Sequence, residues 1–207
     1  MRNSLVLSVA ESATNRKSML QVICSSLFAL GILALAYAGF LFADAHLYQA
    51  VQIQKLEQAS SPARPPTLVE GGVLGEISVP RLQLDAIVVQ GNSPDDLKHA
   101  VGHLSNSALP GEHGNVVLAA HRDTFFRPLR DIRVGDEITF KTQERSFAYV
   151  VESMEVVAPS DVSVLQPSAG HDLTLLTCFP FHYVGPAPKR FVVFAREVEA
   201  MSGLQPN

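Results

Sequence analysis

Thr174-Leu175-Leu176-Thr177-Cys178 is a short, mostly apolar run that ends on a thiol. Its leucines and β-branched threonines give the pattern of a strand, with the cysteine at its end. Besides Cys24, which lies in an apolar stretch near the N-terminus, Cys178 is the only cysteine in the chain. A lone thiol at a strand end is a candidate nucleophile if a base and a cation stand nearby. Its plainer reading is a small buried hydrophobe. The choice between the two rests on the rest of the chain.

Two other apolar runs carry polar residues at an end. Val116-Val117-Leu118-Ala119-Ala120 leads into His121, and Arg190 opens Phe191-Val192-Val193-Phe194-Ala195. If these three strands pair with suitable polarity, Cys178, His121 and Arg190 meet at one rim. Between and around them the pattern is mostly strands, at 75–82, 85–90, 115–121, 136–142, 145–152, 154–158, 172–178 and 190–199. Gly, Pro, Asn and Asp separate these runs. Short helices fit at 94–104, with Ser93 as N-cap, around 125–129, and at 160–165. Many short strands and few helices predict an all-β barrel or sandwich.

The N-terminal part is of another kind. Residues 19–43 contain no Asp, Glu, Lys or Arg, and the run exceeds the roughly 20 residues that cross a bilayer as a helix. Arg16 and Lys17 precede it and Asp44 follows, so the positive-inside rule predicts a cytoplasmic N-terminus and an extracytoplasmic remainder. A cleaved signal peptide is the competing reading, since Ala36-Tyr37-Ala38 fits a small-x-small site. The apolar run continues past it to Phe42, which favours a retained anchor. Cys24 follows Ile23 where a lipoprotein site needs a small residue, and it reads as a packing or lipid-facing residue. Residues 44–58 read as a helical stalk, and 59–66, rich in Ser and Pro, as a semi-rigid linker.

With one cysteine outside the apolar segment, no intramolecular disulfide can form there. An unpaired thiol in an oxidising compartment calls for a reason, and chemistry is one. The formal net charge is −4 at pH 7. No extended basic tract follows the anchor, which argues against a nucleic-acid partner. No histidine pair shows a metal spacing such as HExxH, so no cofactor or catalytic metal is expected.

A thiolate can attack a carbonyl carbon and form a thioester. An imidazole can pass a proton to the leaving amine and take one from the incoming nucleophile. A guanidinium stays charged and can bind the developing oxyanion. Cys, His and Arg together therefore suit acyl transfer without an acidic residue.

Three motifs now acquire a likeness. Thr174-Leu175-Leu176-Thr177-Cys178 resembles the TLxTC signature of sortases, the membrane-anchored cysteine transpeptidases of bacterial surfaces. His121-Arg122-Asp123-Thr124-Phe125-Phe126 resembles the segment that follows the family's catalytic histidine. Lys189-Arg190-Phe191-Val192-Val193 resembles the segment with its catalytic arginine. The stretch from Cys178 to Arg190 is similar to class D sortases and their Gram-negative relatives. Phe179 and His182 depart from close relatives in detail, which bears on substrate subclass.

The resemblance implies a closed eight-stranded β-barrel over residues 71–200, after a cytoplasmic segment 1–18, an anchor 19–43 and a stalk and linker 44–70. Residues 201–207 form a tail. It implies Cys178 as nucleophile, His121 as general acid and base, and Arg190 as oxyanion stabiliser. It also implies substrate proteins with an LPxTG-like C-terminal sorting signal, and an amine acceptor from a cell-wall peptide or a protein lysine. Hydrolysis of the thioester by a simple cysteine peptidase remains an alternative, as does an inactive membrane-tethered binding module. An L,D-transpeptidase would need a His-Gly-Cys type motif, which is absent.

Among neighbouring residues, Arg122 is the competitor of Arg190 and is expected to pair with Asp123 or Asp131. Arg196 lies six residues further along the strand, too far to reach the same rim. The 123–133 region reads as a loop of salt bridges, each worth little. His99, His103, His113, His171 and His182 read as solvated.

Overall fold

From Val73 onward, runs of Val, Ile, Leu and Phe form eight strands among the described residues. These are β1 (Val73–Val79), β2 (Leu84–Gln90), β3 (Val101–His103), β4 (Gly114–Ala119), β5 (Glu137–Lys141), β6 (Ser146–Val157), β7 (His171–Phe179) and β8 (Lys189–Val198). The computed structural model describes residues 2–58, 69–183 and 185–198. The strands close into a barrel in the order β1-β2-β3-β4-β7-β8-β6-β5, and β5 pairs back to β1. Two neighbours are parallel, β2 with β3 and β4 with β7. The barrel is therefore mixed and leaves no open edge in the ring.

Alternation along the strands fills the interior. Ile77, Leu118, Ile138, Phe140, Leu173 and Leu175 have no exposed surface. Each such side chain contributes roughly 1.5–3 kcal/mol on burial.

The expected closed barrel is present, but its strands are divided differently. The run 75–82 ends as a strand at Val79, because Pro80 opens a 3-10 turn (Pro80–Leu82). A proline cannot donate to the ladder. Gln83, at φ 52, then turns the chain into β2. The runs 145–152 and 154–158 are one strand, β6, with a register shift between Val151 and Ser153. The helix expected at 94–104 is a single turn, α2 (Asp96–His99), and β3 takes its last residues. There Gly102 lies so close to β2's end that a Cβ would meet Gly91 O at 2.5 Å. The helices expected near 125–129 and at 160–165 are 3-10 turns, Arg127–Asp131 and Ser163–Leu165.

His103 is another correction. It is 1% exposed rather than solvated. Its ring nitrogens contact the Gln90 amide oxygen at 3.0 Å, Ser107 Oγ at 3.0 Å and the Ala108 carbonyl at 2.9 Å. Burial holds this imidazole below the usual histidine range, with the Ala108 carbonyl acting against the shift.

By contacts the chain divides into a unit up to Asp44 and a unit from Ala45. The first is the N-terminal part of a long helix, α1 (Arg2–Gln58). Its segment Ile23–Phe40 has a mean hydropathy of 2.0 and is apolar enough, over 18 residues, to cross a membrane. That composition suits an anchor or a signal segment alike.

Within the second unit, the end of α1 packs Tyr48 and Ile53 against Ile87, Val89 and Ala100. The Gln49 side chain accepts from Ile87 N at 2.7 Å and donates to His99 O. β1 pairs with Ile87 on one side, whereas pairing with β3 on the other begins only at Val88 and Val101, so this amide serves the side of β2 that β3 has not yet reached. The linker expected at 59–66 and the tail at 201–207 lie outside the described residues.

The 123–133 region, expected to be rich in salt bridges, has the Arg130–Asp131 pair within it and is tied mainly from outside. The chief carboxylate is Asp136, just beyond the region and 8% exposed, which takes both Nε and Nη2 of Arg81. Arg133 N donates to the same carboxylate at 2.8 Å. The Arg81 hydrogen bond is the main cause that holds the Asp136 carboxyl below the usual carboxylate range. A depressed folded-state value stabilises the fold above the unfolded value of about 3.9, and that stability is lost as pH falls through the folded value. Asp136→Asn should therefore flatten the acid limb of a melting-temperature profile between pH 7 and pH 2. Acid limbs of equal depth in the two proteins would remove Asp136 from the account.

Candidate active site

Three strands bring Cys178, His121 and Arg190, the residues singled out in the sequence, to neighbouring positions. β7 and β8 are antiparallel with Cys178 directly opposite Arg190, a separation of about 4.5–5.5 Å at Cα for such partners. β4 and β7 are parallel, with Ala119 beside Leu176. Beyond the ladder, Ala120 N donates to Leu176 O at 3.3 Å. Thr177 Oγ1 donates to Ala120 O at 2.7 Å. These bonds carry the register one step past β4 and bring His121 level with Cys178.

Alternation fixes the face. Leu173, Leu175 and Thr177 point inward, as do Val193 and Ala195. Thr174, Leu176 and Cys178 therefore lie on the outer wall, with Phe194, Val192 and Arg190 as their partners on β8. The cysteine sits on the outer surface near the rim, beside the partly exposed apolar side chains of Ala119 and Leu176; Val192, also on this face, is buried. Cys178 is half-buried and its thiol is free.

His121 is exposed. Its backbone is held, since its carbonyl accepts from Phe126 N at 3.2 Å and Thr124 N at 3.4 Å. Phe126 and Leu129, both without exposed surface, anchor the turn that follows. Arg190 Nη1 donates to Lys189 O at 3.1 Å and Ala187 O at 3.3 Å. Both bonds use Nη1, which leaves Nε and Nη2 without a protein acceptor among the described residues.

Arg122 does not pair with Asp123 or Asp131. Its Nη2 donates to Tyr183 O at 2.6 Å and Gly185 O at 3.1 Å. Asp131 pairs with Arg130 at 3.0 Å. Arg196 lies at the other end of β8, 3.1 Å from Glu152 and 3.5 Å from Asp172.

Sequence reasoning missed the support beneath the site. Phe179, Phe181 and Phe191 form one cluster, with ring centroids 5.4 to 6.3 Å apart. Two of them continue the two-residue alternation past Cys178, and the third follows Arg190, which is the signal that could have found them. Aromatic pairs of this kind contribute about 0.5–1.5 kcal/mol beyond their buried area. They brace the ends of β7 and β8 from inside.

A cavity of about 330 Å³ opens on the same outer wall, lined by Asn115, Thr174, Phe194 and the Ser163–Leu165 turn, with Glu152, Glu155 and Asp172 at its margin. Thr174 is four residues from Cys178, about 13 Å along a strand. Among the described residues, no group of three His, Cys, Asp or Glu side chains is placed to hold a metal ion.

A closed mixed barrel with a thiol, an imidazole and a guanidinium at one strand end is the frame of a cysteine acyl-transfer enzyme. The chain belongs to the sortase family, whose sortase domain matches residues 77–198. It is 29% identical over 200 residues to Sortase D of Bacillus subtilis, a match that takes in 87% of this chain and all of that protein. Among solved structures it is similar to a Clostridium perfringens Sortase D5 transpeptidase, with a TM-score of 0.62 and 25% identity over 74% of this chain and 97% of that one. Sortase A from Corynebacterium diphtheriae matches with a TM-score of 0.59 and 32% identity, over 67% of this chain and 65% of that one. Its homologues are cysteine transpeptidases, and that is the enzyme class of this chain.

Proposed function

We propose that Cys178 is the nucleophile, His121 the general acid and base, and Arg190 the oxyanion stabiliser of a reaction on an LPxTG-like sorting signal. The observation that carries this reading is the register that sets Cys178 opposite Arg190 and level with His121. His121 takes the Cys178 proton as sulfur attacks the carbonyl carbon that precedes the scissile bond. The oxyanion collects against the free Nε and Nη2 donors of Arg190. When the C–N bond breaks, His121 gives the proton to the leaving amine, and the acyl group stays on sulfur as a thioester. An amine then attacks the same carbon, loses its proton to His121, and the thiol is restored.

The substrate lies extended along the outer wall, with its apolar positions on Ala119 and Leu176, which keep exposed surface there. Its proteins carry a C-terminal sorting signal, and the acceptor is a cell-wall peptide amine or a protein lysine. Residues 19–43 hold the enzyme in the cell membrane with the N-terminus in the cytoplasm and the barrel outside. Arg16 and Lys17 before the apolar run and Asp44 after it support that orientation.

The test is an LPxTG-like peptide incubated with the full chain, with and without a millimolar amine such as triglycine. Intact-mass analysis should show an acyl adduct on Cys178, and the product should shift from acid to amide as amine is added. An adduct with acid as the only product makes the protein a peptidase. No adduct with any motif peptide overturns the thioester route.

A further inference from the structure

We propose that Arg122 is a positioning residue, one that ties the segment between Cys178 and Arg190 to the histidine-bearing turn and so holds Arg190 in place. The inference rests on the assignment of Arg190 to the oxyanion. Residues 180–183 leave β7 just after Cys178, and residues 185–188 lead into β8 just before Arg190. Among the described residues this segment forms no backbone hydrogen bonds of its own. Two guanidinium groups hold it instead. Arg122 Nη2 donates to Tyr183 O at 2.6 Å and Gly185 O at 3.1 Å, and Arg190 Nη1 donates to Ala187 O and Lys189 O.

The Arg122 guanidinium also lies 5.8 Å from the centroid of the Tyr183 ring, within the range of a cation–π contact. Its Nη1 is buried without a partner. Leaving a buried donor unpaired is costly, so this side chain is not placed for its own solvation. It comes one residue after His121, and it grips the loop that links the other two reactive residues. Arg190 rests on the same loop, at Ala187. Freeing the loop at Tyr183 and Gly185 loosens the seat of the Arg190 guanidinium while leaving Cys178 and His121 on their strands.

Such a role has a signature that plain structural support lacks. If Arg122 acts through Arg190, its loss matters only while Arg190 is present. Arg122→Ala in the otherwise native full chain should lower kcat by about 10–100-fold, the scale of a misplaced catalytic group. The KM for the motif peptide should change much less. Arg122→Lys should recover only part of the loss, because an ammonium cannot reproduce the fork that spans two carbonyls. In the Arg190→Ala background, Arg122→Ala and Arg122→Lys should each have almost no further effect.

Losses that multiply in the double variants would overturn the proposal, as would native kcat in Arg122→Ala. If Arg122→Ala fails to fold, the Arg122→Lys cycle decides by the same criterion. A mild Arg190→Ala beside a severe Arg122→Ala is a different failure, because it would move the oxyanion role itself to Arg122.

Discussion

Cys178→Ala should remove turnover of a sorting-motif peptide altogether and leave the barrel folded, as the proposed role of Cys178 as nucleophile requires. In the proposed route every bond change passes through this sulfur, since the acyl group leaves the substrate only by joining it. An alanine has nothing to offer the carbonyl carbon, and with one nucleophile the loss is complete rather than graded. The only other cysteine is Cys24 in α1, and it lies in the separate N-terminal unit. Cys178 is half-buried on the outer wall, so removal of its sulfur opens no internal cavity. The melting temperature should move by about 2 °C or less. The adduct seen with the native protein should vanish with the variant. Residual turnover by a pure Cys178→Ala sample would sink the thioester mechanism.

Arg190→Ala should cost about 10²–10³-fold in rate, the scale seen when one oxyanion donor is removed. In the proposed role the charge of this residue matters where negative charge develops, so kcat should fall more than affinity. Arg190→Lys keeps the charge and loses the planar fork, and should recover only part of the rate. Arg196→Ala serves as the control on the same strand, because Arg196 lies at the far end among Glu152 and Asp172. Its rate should stay near native. The measurement is steady-state cleavage of a quenched-fluorescent motif peptide by each variant. Near-native kcat in Arg190→Ala would remove the guanidinium from the transition state.

What could be read from the sequence was the part that alternation and strand ends encode. The runs that became β4, β7 and β8 were visible, as were the residues at their ends, because apolar alternation is local. Whether those ends meet is not local. It depends on β4 lying parallel to β7 and β7 antiparallel to β8, and no residue announces that pairing. The resemblance in three motifs supplied it.

Other features were hidden for other reasons. β3 is three residues long and follows a helical turn, too short for a period to show. His103 looked like any polar loop residue, yet Gln90, Ser107 and Ala108 meet it from separate segments and satisfy it in the interior. Arg122 had two aspartates within reach along the chain, and it chose carbonyls about sixty positions away. Short-range sequence distance favours the wrong partner whenever a loop returns to the same place.

The parallel pairing of β4 with β7 has a consequence for how the enzyme comes into being. The strand that leads to His121 and the strand that carries Cys178 are separated by β5, β6 and their connections, and the bond from Thr177 to Ala120 that joins them spans 57 positions. Contacts of such long range close late, after much loop entropy has been lost. Until β7 enters between β4 and β8, the thiol and the imidazole belong to different parts of an unfinished sheet. Peptide-cleaving ability should therefore appear in one step with ring closure during refolding, and no earlier intermediate should possess it. With the proposed site, the activity would itself report completed assembly, and a chain whose ring is still open should not yet be acylated by a motif peptide.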